Sequence, residues 1–202
     1  MPTIRLLPET LVNQIAAGEV IERPFSAVKE LAENALDAGA TQIEVTLRAG
    51  GKSYISVRDN GCGMGMDDLK LALQRHATSK LPEGDLVHIT TMGFRGEALP
   101  SIASVARLIL TSRTAHADHA WKIETAGGHI TAPTPSSGHI GTHAEISDLF
   151  YLTPARLKFM KADMTEYAAC KDVLLRLALS RPDVGFTLVH EGRTTLNLPA
   201  EQ

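Results

Sequence analysis

The chain has 202 residues and carries 20 basic against 23 acidic side chains, a formal net charge of −3. That length suffices for one large domain with a sizeable core; hydrophobic residues at 44% and charged residues at 21% argue against disordered or fibrous classes, and the acidic balance argues against a dedicated basic nucleic-acid clamp. No apolar run approaches the roughly 20 residues that span a bilayer, the start at Met1-Pro2-Thr3-Ile4-Arg5 lacks a signal peptide's apolar core, and Cys62 and Cys170 form no CxxC pair, so a cytoplasmic protein with reduced thiols and no membrane association is expected.

The first helical pattern runs from Pro8 to about Ile21, with Leu11, Val12, Ile15, Ala16 and Val20 near a 3.6-residue spacing. Pro24 restarts the chain, and Phe25 to Ala38 reads as a helix with Ala27, Val28, Leu31, Ala32 and Ala35 as its apolar stripe. Gly39 stands where a C′ residue belongs. Ile43, Val45 and Leu47, then Ile55 and Val57, alternate with polar residues on either side of Gly50-Gly51, which predicts a β-hairpin. A Gly-punctuated loop, Asp59 to Gly65, leads into a helix over Met66–Arg75.

Residues 76–96 have weak periodicity and read as a long mobile loop, a feature that is uncommon in compact domains and usually functional. A short helix at Glu97–Ser104 precedes strands near Arg107–Ser112, Ala120–Thr125, His129–Ala132 and Thr142–Ser147, with Pro133–Gly138 as a turn-rich connection. Helices at Pro154–Met160 and Met164–Ser180 and a hairpin of Val184–His190 with Arg193–Leu198 close the chain. Strands joined mostly by hairpins favour a mixed, mostly antiparallel sheet with helices on one face over a doubly wound parallel sheet.

Three constellations carry chemistry. Glu30, Asn34 and Asp37 lie at i, i+4 and i+7 on one helix face, with Glu33 beside them and Lys29 as the only nearby cation. A solvated polar face has the same spacing. Carboxylates with an amide and little cationic relief also suit a divalent cation and a water nucleophile, the amide oxygen as ligand and a carboxylate as proton acceptor. Asp59-x-Gly61-x-Gly63-x-Gly65 follows a strand; its glycines allow close approach of a ligand, and its carboxylate can accept from an exocyclic amine such as adenine N6. A plain Gly-rich turn opened by Asp remains the alternative. Gly93-Phe94-Arg95-Gly96-Glu97 opens a helix, where free backbone N–H groups can cradle phosphate beside Arg95.

Other patterns fail on their own terms. Gly51-Lys52-Ser53 resembles the end of a phosphate-binding P-loop, but Thr46 stands where its first glycine belongs. Met66 breaks a dinucleotide fingerprint in the Asp59 loop, and His116 with His119 lacks further metal ligands. The basic residues Arg156, Lys158, Lys161, Lys171 and Arg176 read as a solvated helical face, with weak DNA contact as the alternative.

Taken together, the segments Asn13-Gln14-Ile15-Ala16-Ala17-Gly18-Glu19-Val20, Lys29-Glu30-Leu31-Ala32-Glu33-Asn34-Ala35-Leu36-Asp37-Ala38-Gly39-Ala40, Asp59-Asn60-Gly61-Cys62-Gly63, His76-Ala77-Thr78-Ser79-Lys80, Gly93-Phe94-Arg95-Gly96-Glu97-Ala98-Leu99, Gly141-Thr142 and Thr153-Pro154-Ala155-Arg156 resemble, in order and spacing, the MutL family of DNA mismatch-repair proteins. DNA gyrase, the ninety-kilodalton heat-shock chaperone and sensor histidine kinases share only the looser Glu/Asn helix and Asp-x-Gly-x-Gly pattern of the GHKL superfamily. The resemblance implies an α+β two-layer sandwich of the Bergerat type that binds ATP and Mg²⁺. It implies Glu30 as the general base and Asn34 as the Mg²⁺ ligand. Asp59 would hold the adenine amine, with Gly61 and Gly63 giving close approach and Thr142 near the base, and Ala38 would be among the ATP-binding residues. Thr78, Ser79 and Lys80 would belong to a mobile lid over 76–96, and Gly93, Arg95, Gly96, Glu97, Ala98 and Leu99 would meet the phosphates.

The family resemblance further implies that residues 1–22 order on ATP binding, that two such domains then form a homodimer, and that the switch couples a MutS-like mismatch-recognition protein to an endonuclease or helicase. The chain reads as a single domain over 1–202. It ends at Gln202, before the family's second ATPase subdomain and C-terminal dimerisation domain, so weak nucleotide binding and very slow hydrolysis are expected of it. The alternative from another class is a non-hydrolysing module that docks DNA or partners on the same fold.

Overall fold

The computed structural model of the chain describes residues 6–75, 77 and 97–201. In chain order its elements are α1 (Glu9–Val20), α2 (Pro24–Asp37), β1 (Gln42–Arg48), β2 (Tyr54–Asp59), α3 (Met66–Leu71), α4 (Ala98–Val105), β3 (Arg107–Arg113), β4 (Ala120–Ala126), β5 (His129–Ile130), β6 (Thr134–Ser136), β7 (Gly141–Ser147), α5 (Pro154–Leu157), α6 (Asp163–Ser180), β8 (Gly185–His190) and β9 (Arg193–Leu198). The strands form one sheet in the order β5-β4-β3-β7-β2-β1-β8-β9, with β6 also paired to β4. Among these pairings β1 with β8 is parallel and the others are antiparallel. The α+β sandwich with a mixed, mostly antiparallel sheet is therefore the observed architecture.

Alternation in the strands decides which face is covered. Leu188, Val45, Val57, Ala144, Leu110 and Ile123 stand opposite one another across six strands, and all are buried. That row belongs to the core that the helices cover. Helix α2 contributes Ala27, Val28, Leu31, Ala32, Ala35 and Leu36, the stripe read from its spacing plus one further residue, Leu36. Pro24 occupies its first turn, where a missing N–H costs nothing. At its far end the Ala40 N–H bonds the Ala35 carbonyl and the Gly39 N–H bonds the Leu36 carbonyl, a Schellman cap made accessible by the positive φ (74°) of Gly39.

The start of α2 is pinned from a distance. Arg23, just before Pro24, donates from Nη2 (2.9 Å) and Nε (3.1 Å) to Oε2 of Glu166 on α6, and the other Glu166 oxygen accepts the Lys161 N–H at 2.8 Å. Glu166 has no exposed surface, so removing its charge strands the guanidinium. Glu166→Ala is expected to cost about 3 kcal/mol, a fall in melting temperature of roughly 6–12 °C for a chain of this size, measurable by circular dichroism. Cys170, one turn along the same helix, is buried, and burial together with the Glu166 charge pushes its thiol up to about 12. That thiol is chemically quiet.

Four boundaries differ from expectation. α3 stops at Leu71, and α5 at Leu157, because the chain then closes tighter turns: Leu73 and Gln74 bond the carbonyls of Lys70 and Leu71, and Phe159 and Met160 those of Arg156 and Leu157. β5 is cut to two residues. The expected turn-rich connection contains β6, whose Pro135 lies opposite Trp121; β6 pairs only with β4 among the described strands, and proline is tolerated on such an outer strand.

Candidate functional site

Glu30, Asn34 and Asp37 lie on one side of α2 and are half-buried. The face is less bare of cations than its composition suggested. Lys29 Nζ lies 2.9 Å from Glu33 Oε2 and 3.8 Å from Glu30 Oε1. Partial burial would lower the Lys29 pKa, but the hydrogen bond and charge of Glu33, with the charge of Glu30, outweigh it and hold the ammonium above its ordinary value. Lys29 therefore neutralises chiefly Glu33, which is buried. Glu30 is the more open of the two carboxylates, with 31% of its side chain exposed against 12% for Glu33.

Ala38 joins this helix to the glycine loop. Its carbonyl accepts the Cys62 N–H at 2.9 Å, and a Cβ placed on Gly61 would come within 2.8 Å of the Ala38 Cβ. Only glycine fits there. Gly63, at φ 69°, leaves even less room: an added Cβ would sit 2.1 Å from the Arg113 carbonyl oxygen. Asp59 ends β2 on the face that carries Ile55 and Val57. Its Oδ1 accepts both the Gly61 N–H (2.8 Å) and the Thr142 N–H (3.1 Å). One carboxylate oxygen is thus fixed by backbone, and Oδ2 is the oxygen left for a ligand donor. Burial raises the Asp59 pKa, against the lowering effect of those two N–H groups and of nearby His143.

Two residues that the sequence reading passed over complete the loop. Asn60 Oδ1 accepts the N–H groups of Thr41 (2.8 Å) and Gln42 (2.9 Å), tying the loop to the start of β1. Ser112, on β3, accepts the Met64 N–H at 2.8 Å and lies 3.0 Å from the Gly141 carbonyl and 2.9 Å from Thr142 Oγ1. Its signal was parity: Leu108, Leu110 and Ser112 alternate onto the covered face, where a hydroxyl is out of place unless it is bonded. Asn60 gave no comparable signal, since Asn before Gly reads as turn chemistry alone.

The structure thus brings Glu30, Asn34, Ala38, Asp59, Gly61, Gly63 and Thr142 to one region, through the Ala38–Cys62 bond and the Asp59–Thr142 bond. Glu97 sits at the N-cap of α4 and Ala98 and Leu99 form its first turn; Leu99 packs on the core, and α4 lies against α1 and α2. Thr78, Ser79, Lys80, Gly93, Arg95 and Gly96, and with them nearly all of the expected lid at 76–96, lie outside the described residues.

Arg156 is not part of a solvated basic face. Its Nη1 donates to the Gly18 carbonyl at 2.9 Å and its guanidinium stands 5.7 Å from the Phe150 ring centre, so it clamps the end of α1. On α6, Arg176 is paired with Asp172 at 2.9 Å. Arg176 keeps 76% of its side chain exposed, as a solvated face requires, so Arg156 alone of these two leaves that face. Asp59, Gly141 and Thr142 also line a hollow of about 290 Å³, but its other walls include Arg58, Thr111, Lys122, His143 and Glu145, which alternate onto the opposite sheet face. It is distinct from the α2 side of the site.

Residues 21–134 match the family model of histidine kinase-, DNA gyrase B- and HSP90-like ATPases. The chain belongs to that family. Its MutL character rests on closer similarities. The chain is 59% identical over 200 residues to the DNA mismatch repair protein MutL of Paramagnetospirillum magneticum, covering 99% of this chain and 33% of that protein. It is 58% identical over 194 residues to MutL of Azorhizobium caulinodans, covering 96% and 31%. A solved structure of the Aquifex aeolicus MutL ATPase domain complexed with ADP superposes with a TM-score of 0.77 at 36% identity, covering 91% of this chain and 66% of that one. The N-terminal domain of a DNA repair protein gives 0.79 at 30%, covering 95% and 57%. Within the ATPase family the chain is a MutL-type ATPase domain, and it spans about a third of the length of the curated relatives it matches.

Proposed function

We propose that this domain binds Mg·ATP in a split site and hydrolyses it slowly as the switch of a mismatch-repair protein. The observation that carries the reading is Asp59, held by two backbone N–H groups in a glycine loop that Ala38 fastens to the helix bearing Glu30 and Asn34. In this reading Asp59 Oδ2 accepts the adenine amine, and Gly61 and Gly63 let the base approach the backbone. Glu30 takes the proton of the attacking water. The ADP complex of the Aquifex aeolicus domain supports the choice of nucleotide.

The donor set also fits Mg²⁺. No cluster of three or more His, Cys, Asp or Glu among the described residues is placed to hold a metal. A lone amide on an acidic helix face suits Mg²⁺, which keeps several waters and is usually held by few protein groups together with substrate phosphates. Asn34 would hold it, and when bound the ion offsets phosphate charge. Asn34→Ala is expected to abolish the gain in ATP affinity on adding Mg²⁺ while leaving Mg²⁺-free binding near wild type. Titrations with and without the ion read this directly, and an undiminished Mg²⁺ effect would remove Asn34 from the site.

For the longer protein, Thr78, Ser79, Lys80, Gly93, Arg95, Gly96, Glu97, Ala98 and Leu99 would close over the phosphates. That closure would order the N-terminal segment and create a homodimer, coupling a MutS-like partner to a nuclease or helicase in the cytoplasm. The alternative, a docking module without hydrolysis, gives no chemical reason for keeping Glu30 beside Asn34 and Asp59 together.

A further inference from the structure

The hydrogen-bond arithmetic around Ser112 sets the polarity of the site. Ser112 is 1% exposed. Its oxygen receives the Met64 N–H at 2.8 Å and lies 3.0 Å from the Gly141 carbonyl and 2.9 Å from Thr142 Oγ1. A serine hydroxyl has one proton, and a carbonyl can only accept. If that proton went to Thr142, the oxygens of Ser112 and Gly141 would face each other at 3.0 Å with no hydrogen between them. If it goes to Gly141, Thr142 donates to Ser112 and all three contacts are satisfied. The buried setting decides for the second arrangement, because an unmade bond there costs the full desolvation of the group.

We infer that Ser112 is a positioning residue for base specificity: it consumes the only hydroxyl proton of Thr142, so that Thr142 turns lone pairs alone toward the ligand. Thr142 lies on the inward face of β7 with Ala144 and Ile146, and its backbone N–H bonds Asp59. An ionised Asp59 is likewise acceptor-only. With position 6 of the purine facing Asp59, as in the reading above, an acceptor-only Thr142 beside it favours the amine that adenine carries there and repels the carbonyl that guanine carries there. The inference rests on the nucleotide reading above.

The test is calorimetric binding of ATP and of GTP to wild type, Ser112→Ala, Thr142→Val and the double variant, with melting curves for each. Wild type is expected to prefer ATP, and Ser112→Ala to lose about 3- to 10-fold of that preference, because the freed Thr142 proton can then meet a guanine carbonyl. In the Thr142→Val background, Ser112→Ala should leave the ratio unchanged; a merely structural serine would lower both affinities together in either background. An ATP-to-GTP ratio in Ser112→Ala equal to wild type overturns the inference while leaving the nucleotide site standing. Wild type that binds neither nucleotide overturns both. If Ser112→Ala does not fold, Ser112→Cys, whose thiol is a weak acceptor, carries the same comparison.

Discussion

Glu30→Gln is expected to lower ATP turnover by about 10²–10⁴-fold, the usual contribution of a positioned general base, with ATP affinity retained. The substitution keeps the volume and removes the ability to take a proton. Two carboxylates are adjacent on α2, and the geometry chooses between them. Glu33 is buried and holds Lys29 at 2.9 Å, so its charge is already spent. Glu30 stands 3.8 Å from the same ammonium and keeps 31% of its side chain accessible, enough for a water to reach it. Glu33→Gln is therefore the control: it frees Lys29 and should change turnover far less. Single-turnover measurement with excess protein suits a slow enzyme. Turnover unaffected by Glu30→Gln would refute the assignment.

Asp59→Asn is expected to separate binding from stability. The amide oxygen can still accept the Gly61 and Thr142 N–H groups that bond Oδ1, so the loop is kept. The other position becomes a donor and faces the ligand amine. Losing a hydrogen bond to a charged acceptor costs about 1.5–3 kcal/mol, roughly a 10- to 150-fold loss of affinity. Stability should move the other way. Burial raises the folded Asp59 pKa, so the unfolded chain loses its proton first as pH climbs. Stability falls between the unfolded and folded pKa values, and the penalty is full above both. At neutral pH the neutral Asn escapes that penalty, so the variant should melt at or above the wild-type temperature. The difference should shrink toward zero as pH drops below the ordinary carboxylate range. A lower melting temperature at neutral pH would contradict this electrostatic account of Asp59.

Much of this was readable in the chain because it is local. The 3.6-residue stripe of α2, the Gly39 cap and the two-residue alternation of β1 and β2 depend on neighbours only. Even the Lys29–Glu33 pair could have been read from its i,i+4 spacing. What could not be read depends on distant partners. Nothing local places β7 between β2 and β3, or β8 parallel to β1, since register across strands far apart in sequence is settled by the packed core. Arg156 looked like surface charge because its acceptors, the carbonyls at the end of α1, lie 138 and 135 positions away. Pro135 hid β6 because proline argues against strands in general but not against outer ones.

The proposed function places Asp59 and Asn34 in one split Mg·ATP site. Titration calorimetry of a non-hydrolysable ATP analogue, with and without Mg²⁺, on wild type and Asp59→Asn tests it most directly. Mg²⁺-dependent binding by wild type that is lost in the variant is the expected result. Binding of equal strength in both proteins, or binding indifferent to Mg²⁺, would contradict it.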